Sequence, residues 1–224
     1  MKTVFLDRDG VINRLRPGDY VKSWSEFEFL PTAIPAIRCL SQAGCRLIIV
    51  TNQAGVSKGI VSPEVLETIH QKMVIEIENG GGRIDAIYYC PHRDEDNCRC
   101  RKPKPGLLEQ AIREHTVDPI NRFLVGDSLR DIVAGQAVGC KTCLVADSQP
   151  KGLAPGFHRN RAARSTRSPL SRGLVSAIGN SPLSAEDTGP DQIVPDLVAA
   201  ASWIISTLDR LGESGNRGNT HKPE

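Results

Sequence analysis

Acidic, amide and hydroxyl side chains follow several apolar segments of this sequence. Asp7 and Asp9 come directly after the apolar run at residues 3–6, and Gly10 follows them. Two neighbouring carboxylates can divide the work of a nucleophile and a general acid or base, and a glycine lets the backbone approach a ligand closely. A single aspartate at such a place can also be a turn former, so the interpretation depends on what the other apolar segments carry.

Three further segments carry complementary groups. Thr51-Asn52-Gln53 follows the apolar run 46–50, and its hydroxyl and amides suit a phosphoryl group. Gly126-Asp127-Ser128 follows another run, with Asp131 four residues after Asp127, although acids in a helix's first turn are also common without any function. Between them, Arg101 and Lys102 supply cations. Together these groups are typical of a site that holds Mg²⁺ and a phosphate.

A separate cluster offers soft metal ligands. Cys90, His92, Cys98 and Cys100 supply three thiolates and one imidazole, the ligand set of a closed tetrahedral Zn²⁺ site. The alternative is a loop of unligated thiols. Four protein ligands leave no position for water, so we expect a structural zinc that orders the polar loop and positions Arg101 and Lys102.

The segments that must position these residues alternate between strand and helix patterns over the first 150 residues. The apolar runs predict strands at 3–6, 46–50, 84–89, 122–125, 141–145 and 191–194. Helical spacing predicts helices at 31–43, from 63 to the glycines at 80–82, and at 105–115, 129–138 and 196–208. The prediction is therefore a three-layer, Rossmann-like α/β fold with a parallel sheet. His70, on the second helix, is expected at the surface or at an edge.

The domain organisation follows from a change in composition. We expect residues 1–150 to form the core, 191–208 to add its last strand and helix, and 209–224 to be a disordered tail. Residues 151–190 are rich in Pro, Gly, Ser and Arg and lack periodicity, which predicts a mobile insertion. Its six basic residues against two acidic ones leave open a docking role toward an acidic partner.

Composition narrows the function. With 224 residues, a net charge of +2 and ten aromatic side chains, the chain has no strong signature of nucleic-acid binding. No apolar run approaches the roughly 18 residues that cross a bilayer, and charges at Asp7, Arg8 and Asp9 interrupt any secretory signal. We therefore expect a cytoplasmic monomer with no membrane or nucleic-acid partner.

The four strand-end groups resemble the haloacid dehalogenase (HAD) superfamily of phosphohydrolases. Its motifs are Asp-x-Asp, a Thr or Ser, a Lys, and Gly-Asp with a further acid; this chain has all four in order. The resemblance implies phosphoryl transfer through an aspartyl phosphate. Asp7 would be the nucleophile and Asp9 the general acid and base, while Thr51 and Lys102 would stabilise the phosphoryl oxygens. Mg²⁺ would be held by Asp7, Asp127 and the backbone carbonyl of Asp9.

The zinc cluster narrows the resemblance. With Asp7 to Asn13 and Thr51 to Gln53 it resembles the D-glycero-D-manno-heptose-1,7-bisphosphate 7-phosphatases and the related histidinol-phosphate phosphatases, which carry zinc and lack a large cap. Only a short flap, residues 14–30, stands where a cap would be. The following residues are then candidates for substrate binding: Asn13, Asn52, Gln53, Arg101, Lys102 and Ser128.

The function that this resemblance implies is removal of the 7-phosphate from a small phosphorylated sugar, the heptose bisphosphate used for a surface polysaccharide. Histidinol-phosphate phosphatase is the alternative enzyme. A non-catalytic zinc-binding interaction protein that uses the Arg-rich insertion is the alternative of another class. Asp7, Asp9, Thr51, Lys102 and Asp127 argue against it, because a chain without catalysis has no chemical need to keep them together.

Overall fold

The computed structural model describes residues 1–146 and 189–216, with side chains as far as Leu211. The insertion predicted at 151–190 therefore lies outside the described residues, except for its last two positions. No helix in the described ranges is both long enough and apolar enough to span a membrane.

Within these ranges the chain forms a six-stranded sheet in the order β3-β2-β1-β4-β5-β6, with every neighbouring pair parallel. The three-layer α/β prediction is confirmed. The strands are β1 (Thr3–Leu6), β2 (Arg46–Asn52), β3 (Ala86–Cys90), β4 (Arg122–Gly126), β5 (Lys141–Val145) and β6 (Gln192–Val194). The helices are α1 (Ala33–Gln42), α2 (Pro63–Asn79), α3 (Gly106–His115), α4 (Leu129–Ala137) and α5 (Leu197–Asn216).

Successive side chains of each strand point to opposite faces of the sheet, and a hydrophobic core forms on each face. In β1, Val4 and Leu6 pack in one cluster with residues of α1, α2 and α5, while Phe5 packs in the other with residues of α3 and α4. Cys140 and Cys143 likewise lie buried in opposite clusters. Helices thus cover both faces of the sheet. Because all its strands are parallel, the polar residues that follow them meet at one edge.

The start of α2 agrees with the sequence prediction, whereas the end of α5 does not. Ser62 caps α2 by accepting a hydrogen bond from Val65 N–H, and Pro63 occupies the first turn, as predicted. The tail was expected to be disordered from residue 209, but α5 continues to Asn216. Within this last part of the helix, the Arg210 guanidinium donates to Ser206 O and Thr207 Oγ1.

The flap between β1 and α1 carries a 3₁₀ helix, Trp24–Glu26, beside a small aromatic cluster. Tyr20 of the flap lies against Gly55, where a β-carbon would come within 2.9 Å of the ring. Lys58 Nζ lies 5.4 Å from the same ring. The flap is thus anchored to the loop that follows β2, next to the carboxyl ends of the strands.

Candidate active site

The carboxyl ends of the central strands open into one cavity of about 210 Å³. Strand order reverses at β1, between β2 and β4, and such a switch point is where open α/β sheets bind ligands. The predicted residues that line the cavity are Asp7, Asp9, Thr51, Asn52, Arg101, Lys102, Asp127 and Ser128. Tertiary structure therefore brings together side chains from four separate segments.

Lys102 is the central cation of this cavity. Its buried ammonium donates to Val50 O at 2.7 Å and forms ion pairs with Asp7 Oδ1 at 2.9 Å and Asp131 Oδ1 at 2.5 Å. Burial alone would lower the pKa of Lys102, but the two carboxylates hold it well above its usual value. The lysine is therefore a permanent positive charge beside Asp7.

Asn52 fixes the backbone that carries this lysine. Its side-chain amide donates to Lys102 O at 3.1 Å and its side-chain oxygen accepts from Lys102 N–H at 3.1 Å. Asn52, which we predict to bind substrate, does line the cavity. One N–H of its side-chain amide and its side-chain oxygen are, however, already hydrogen-bonded to the main chain of Lys102. It links the end of β2 to the loop between β3 and α3.

Three carboxylates meet beside Lys102 in the cavity. Asp7, Asp127 and Asp131 each place an oxygen within 4.8 Å of the others. Burial, and next the charge of Asp7, raises the pKa of Asp127 to about 8, and burial raises that of Asp7 to about 6. Crowded, desolvated carboxylates of this kind fit a divalent cation that balances their charge.

Glycine is required where these acids approach the main chain. Gly10 has a φ of +85°, and a β-carbon there would overlap the Asp127 carboxylate. Asp131 is less free than Asp127, because its Oδ2 already accepts from the N–H and hydroxyl of Ser128 and closes the capping box of α4. The Ser128 hydroxyl, predicted to bind substrate, is therefore engaged within the protein.

Asp9 is held by four hydrogen bonds. Arg8 Nη2 donates to both of its oxygens, Asn13 Nδ2 donates to Oδ1 at 2.9 Å, and Gln53 Nε2 donates to Oδ2 at 2.7 Å. Burial would raise the pKa of Asp9, but Arg8 and the amide donors hold it below its usual value. Asn13 and Gln53 were predicted to bind substrate; both are buried, outside the cavity lining, and contact Asp9 instead.

The predicted zinc ligands converge. The Nδ1 atom of His92 and the sulfurs of Cys90, Cys98 and Cys100 lie 3.2 to 3.6 Å apart in the contacts that join them. A tetrahedron built on Zn–S bonds of about 2.3 Å has edges of roughly 3.8 Å, so the donor set and its spacing fit Zn²⁺. We call residues 90–100 the zinc loop.

Two arginines stand at the rim of the cavity. Arg101, after the zinc loop, and Arg130, in the first turn of α4, both donate to Oδ1 of Asp94, at 2.8 and 2.9 Å. Both arginines line the cavity, and Arg101 Nη1 is buried without a hydrogen-bond partner among the described residues. Sequence reasoning identified Arg101 but missed Arg130 and Asp94, whose only signal is charge.

Comparisons with known proteins agree with this geometry. A family model described as HAD-hydrolase-like matches residues 99–153. The chain is 43% identical over 151 residues to D-glycero-beta-D-manno-heptose-1,7-bisphosphate 7-phosphatase of Neisseria meningitidis, covering 67% of this chain and 80% of that one. It is 39% identical over 157 residues to the alpha-heptose counterpart of Mycobacterium bovis, covering 67% and 83%.

A solved structure matches as well. The D,D-heptose 1,7-bisphosphate phosphatase of B. bronchiseptica, complexed with magnesium and phosphate, superposes with a TM-score of 0.70. Its sequence is 33% identical, and the match covers 92% of this chain and 99% of that one. Fold and strand-end groups thus define a phosphatase of the HAD type. Within that class, the chain belongs to the family of heptose-1,7-bisphosphate 7-phosphatases.

Proposed function

We propose that this phosphatase removes the 7-phosphate of D-glycero-D-manno-heptose 1,7-bisphosphate, in the synthesis of heptose for a surface polysaccharide such as lipopolysaccharide or an S-layer glycan. The observation that carries the proposal is the pair Arg101 and Arg130 in the same cavity as Asp7 and Lys102. A bisphosphate needs cations beyond those at the reacting phosphate, and this pair supplies them. The names of the relatives support the same substrate.

The proposed chemistry uses the contacts described above. Asp7 attacks the 7-phosphorus to form an aspartyl phosphate, and Asp9 protonates the departing sugar oxygen. Asp9 then takes a proton from the water that hydrolyses the intermediate. Lys102 Nζ, 2.9 Å from Asp7 Oδ1, and the Thr51 hydroxyl stabilise the phosphoryl oxygens as charge redistributes.

Two metals complete the proposal. Asp7, Asp127 and the backbone carbonyl of Asp9 would hold Mg²⁺, with Asp131 close by; when bound, the ion supplies charge neutralisation between nucleophile and phosphate. Magnesium in the related B. bronchiseptica structure supports this. Cys90, His92, Cys98 and Cys100 would hold a structural Zn²⁺ with no open position.

Histidinol phosphate is the competing substrate that the rim disfavours. It carries an amine and an imidazole away from its phosphate, and positive groups there would meet Arg101 and Arg130. The two arginines share Asp94 as an acidic partner, so the three groups together keep a net positive charge. This charge balance favours a second phosphate.

Substrate preference tests the proposal directly. We expect kcat/KM of the wild type to be higher for the heptose bisphosphate than for histidinol phosphate. Arg101→Ala should lower kcat/KM for the bisphosphate, and the ratio of the two kcat/KM values should correspond to a loss of about 1 to 3 kcal/mol of transition-state stabilisation. The effect on monophosphates should be smaller, because the lost charge-assisted contact is to the second phosphate. Arg113→Ala, in the last turn of α3 and outside the cavity lining, is the matched control. A clear wild-type preference for histidinol phosphate would overturn the assignment.

A further inference from the structure

Arg8 is a buried charge to which the chemistry above assigns no part. It lies between Asp7 and Asp9, and only 1% of its side chain is exposed. Its Nη2 donates to Asp9 Oδ1 at 3.0 Å and to Oδ2 at 2.9 Å. A guanidinium in such a place is costly unless its donors are paired, so its partners are part of the site.

The second partner is His70 of α2, which we predict from the sequence at the surface or at an edge and which the structure buries. Its Nε2 lies 3.1 Å from Arg8 Nη1. Because arginine can only donate, Nε2 must accept, and His70 is therefore neutral with its proton on Nδ1. Burial, and next the charge of Arg8, lowers the pKa of His70 to about 3, in agreement with this geometry.

The two nitrogens at the end of the Arg8 side chain contact different residues, Asp9 and His70. Nη2 bridges both oxygens of Asp9, which sets the plane of the carboxylate, and Nη1 is anchored on α2 through His70. His70 itself packs against Tyr89 at the end of β3, with ring centroids 5.9 Å apart. The orientation of Asp9 thus depends on a helix and a strand that carry no other group of the reacting centre.

We propose that Arg8 and His70 are positioning residues that orient the Asp9 carboxyl for proton transfer to the leaving group. The proposal rests on the acid role proposed for Asp9. In the first step the Asp7 oxygen forms a bond to phosphorus while the bond from phosphorus to the ester oxygen breaks. Asp9 must be protonated for this step, a form that Arg8 and the two amide donors disfavour. Its proton passes to the ester oxygen, where the electron pair of the broken P–O bond forms the new O–H bond.

Orientation of this proton donor matters only for some leaving groups. A sugar alkoxide is a poor leaving group and must be protonated as it departs, whereas a nitrophenolate departs without help. A misplaced Asp9 should therefore slow cleavage of sugar phosphates and spare p-nitrophenyl phosphate. A purely structural role for Arg8 and His70 would slow both substrates alike.

The experiment compares kcat/KM for p-nitrophenyl phosphate with that for the sugar phosphate turned over fastest, in metal-loaded full-length protein. This parameter reports the steps up to the first release of product and so excludes hydrolysis of the intermediate. His70→Leu removes the acceptor for Arg8, while His70→Gln keeps one. We expect His70→Leu to lose about tenfold on the sugar phosphate and less than about twofold on the aryl phosphate, as for loss of one hydrogen bond to a charged group.

Rescue and control variants complete the design. His70→Gln should regain most of the sugar-phosphate activity, and His115→Gln, on α3 outside the cavity lining, should behave as the wild type. Arg8→Lys keeps the positive charge but loses the planar guanidinium that contacts Asp9 and His70 together, so it should show the same selective loss as His70→Leu. If His70→Leu does not fold, Arg8→Lys provides the test in its place. Equal losses on both substrates, or a Gln variant as impaired as the Leu variant, would overturn the proposal.

Asp9→Asn separates this inference from the function on which it rests. If Asp9 is the acid, this variant should show the largest selective loss on the sugar phosphate, on the order of a hundredfold or more. Absence of selectivity in Asp9→Asn would remove the acid role itself. Selectivity in Asp9→Asn without any in His70→Leu and Arg8→Lys would reject only the positioning role.

Discussion

At the scale of single residues, one lysine sets the charge of the reacting centre. Lys102 Nζ contacts Asp7 and Asp131 simultaneously, and Asn52 holds its main chain from β2. A phosphoryl group transferred to Asp7 would therefore remain beside a fixed positive charge, without rearrangement of the protein. Preorganised charge of this kind is usually the largest contribution to phosphoryl-transfer catalysis.

The nucleophile itself provides the residue-scale prediction. Asp7→Asn should abolish turnover, with a loss of several powers of ten, because an amide neither attacks phosphorus nor balances a divalent cation. The fold should persist, since asparagine has the same shape and Lys102 keeps Val50 O and Asp131 as partners. Phosphate release and circular dichroism measure the two effects. Phosphate release at the wild-type rate by the purified variant would contradict the covalent mechanism.

At the scale of elements, the zinc loop and the residues that follow it connect β3 to α3, and this segment contributes Arg101 and Lys102 to the cavity lining. The loop's Asp94 orients Arg101 and Arg130, and Lys102 lies two residues beyond the last zinc ligand, Cys100. Few apolar side chains are available there to order the segment. With the zinc that we propose in place, metal coordination would substitute for a hydrophobic core in fixing Arg101 and Lys102.

Loss of zinc should accordingly impair activity through geometry. We expect Cys98→Ser to lower bound zinc, measured by metal analysis, and to lower kcat/KM by about tenfold or more, as when metal-site partners are lost. Cys39→Ser, at an exposed cysteine outside the cluster, is the matched control and should keep both zinc and activity. Protein purified without chelator and found free of zinc would rule out the structural metal.

At the scale of the whole molecule, the buried carboxylates link stability to pH. Without a cation, burial raises the pKa of Asp127 to about 8 and that of Asp7 to about 6, both from 3.8. The folded protein then holds protons that the unfolded chain has released. The stability contributed by these two carboxyls is present below about pH 4 and is lost as pH rises through their folded pKa values.

We therefore expect Asp127→Asn to be more stable than the wild type at about pH 8 in magnesium-free buffer, and similar to it near pH 4. The difference should grow by up to about 1.4 kcal/mol per pH unit in between, and Mg²⁺ should shrink it by stabilising the wild type. Urea unfolding at several pH values measures the free energies. A difference that does not depend on pH would show that the carboxyl of Asp127 is ionised in the metal-free fold.

The amino-acid sequence by itself determined the α/β fold, the strand-end motifs and the cluster of three cysteines and one histidine. The physical reason is locality: alternation, capping and short metal-ligand spacing act over a few residues, and a parallel sheet then brings the carboxyl ends of its strands to one edge. The strand predictions failed only by a few residues at their ends. The end of α5 was misplaced by more, because its continuation beyond Leu208 depends on weak helix-forming preferences.

Only the tertiary structure decided which polar side chains face the cavity and which support those that do. Arg8 meets His70 across 62 residues, Gln53 meets Asp9 across 44, and Arg130 meets Asp94 across 36. Such pairs have no sequence spacing to reveal them, because they form between segments that meet only after the sheet has assembled. Gln53 therefore reads as a substrate ligand in the sequence, and so does Asn13, although it is only four residues from Asp9; burial makes both of them partners of that carboxylate.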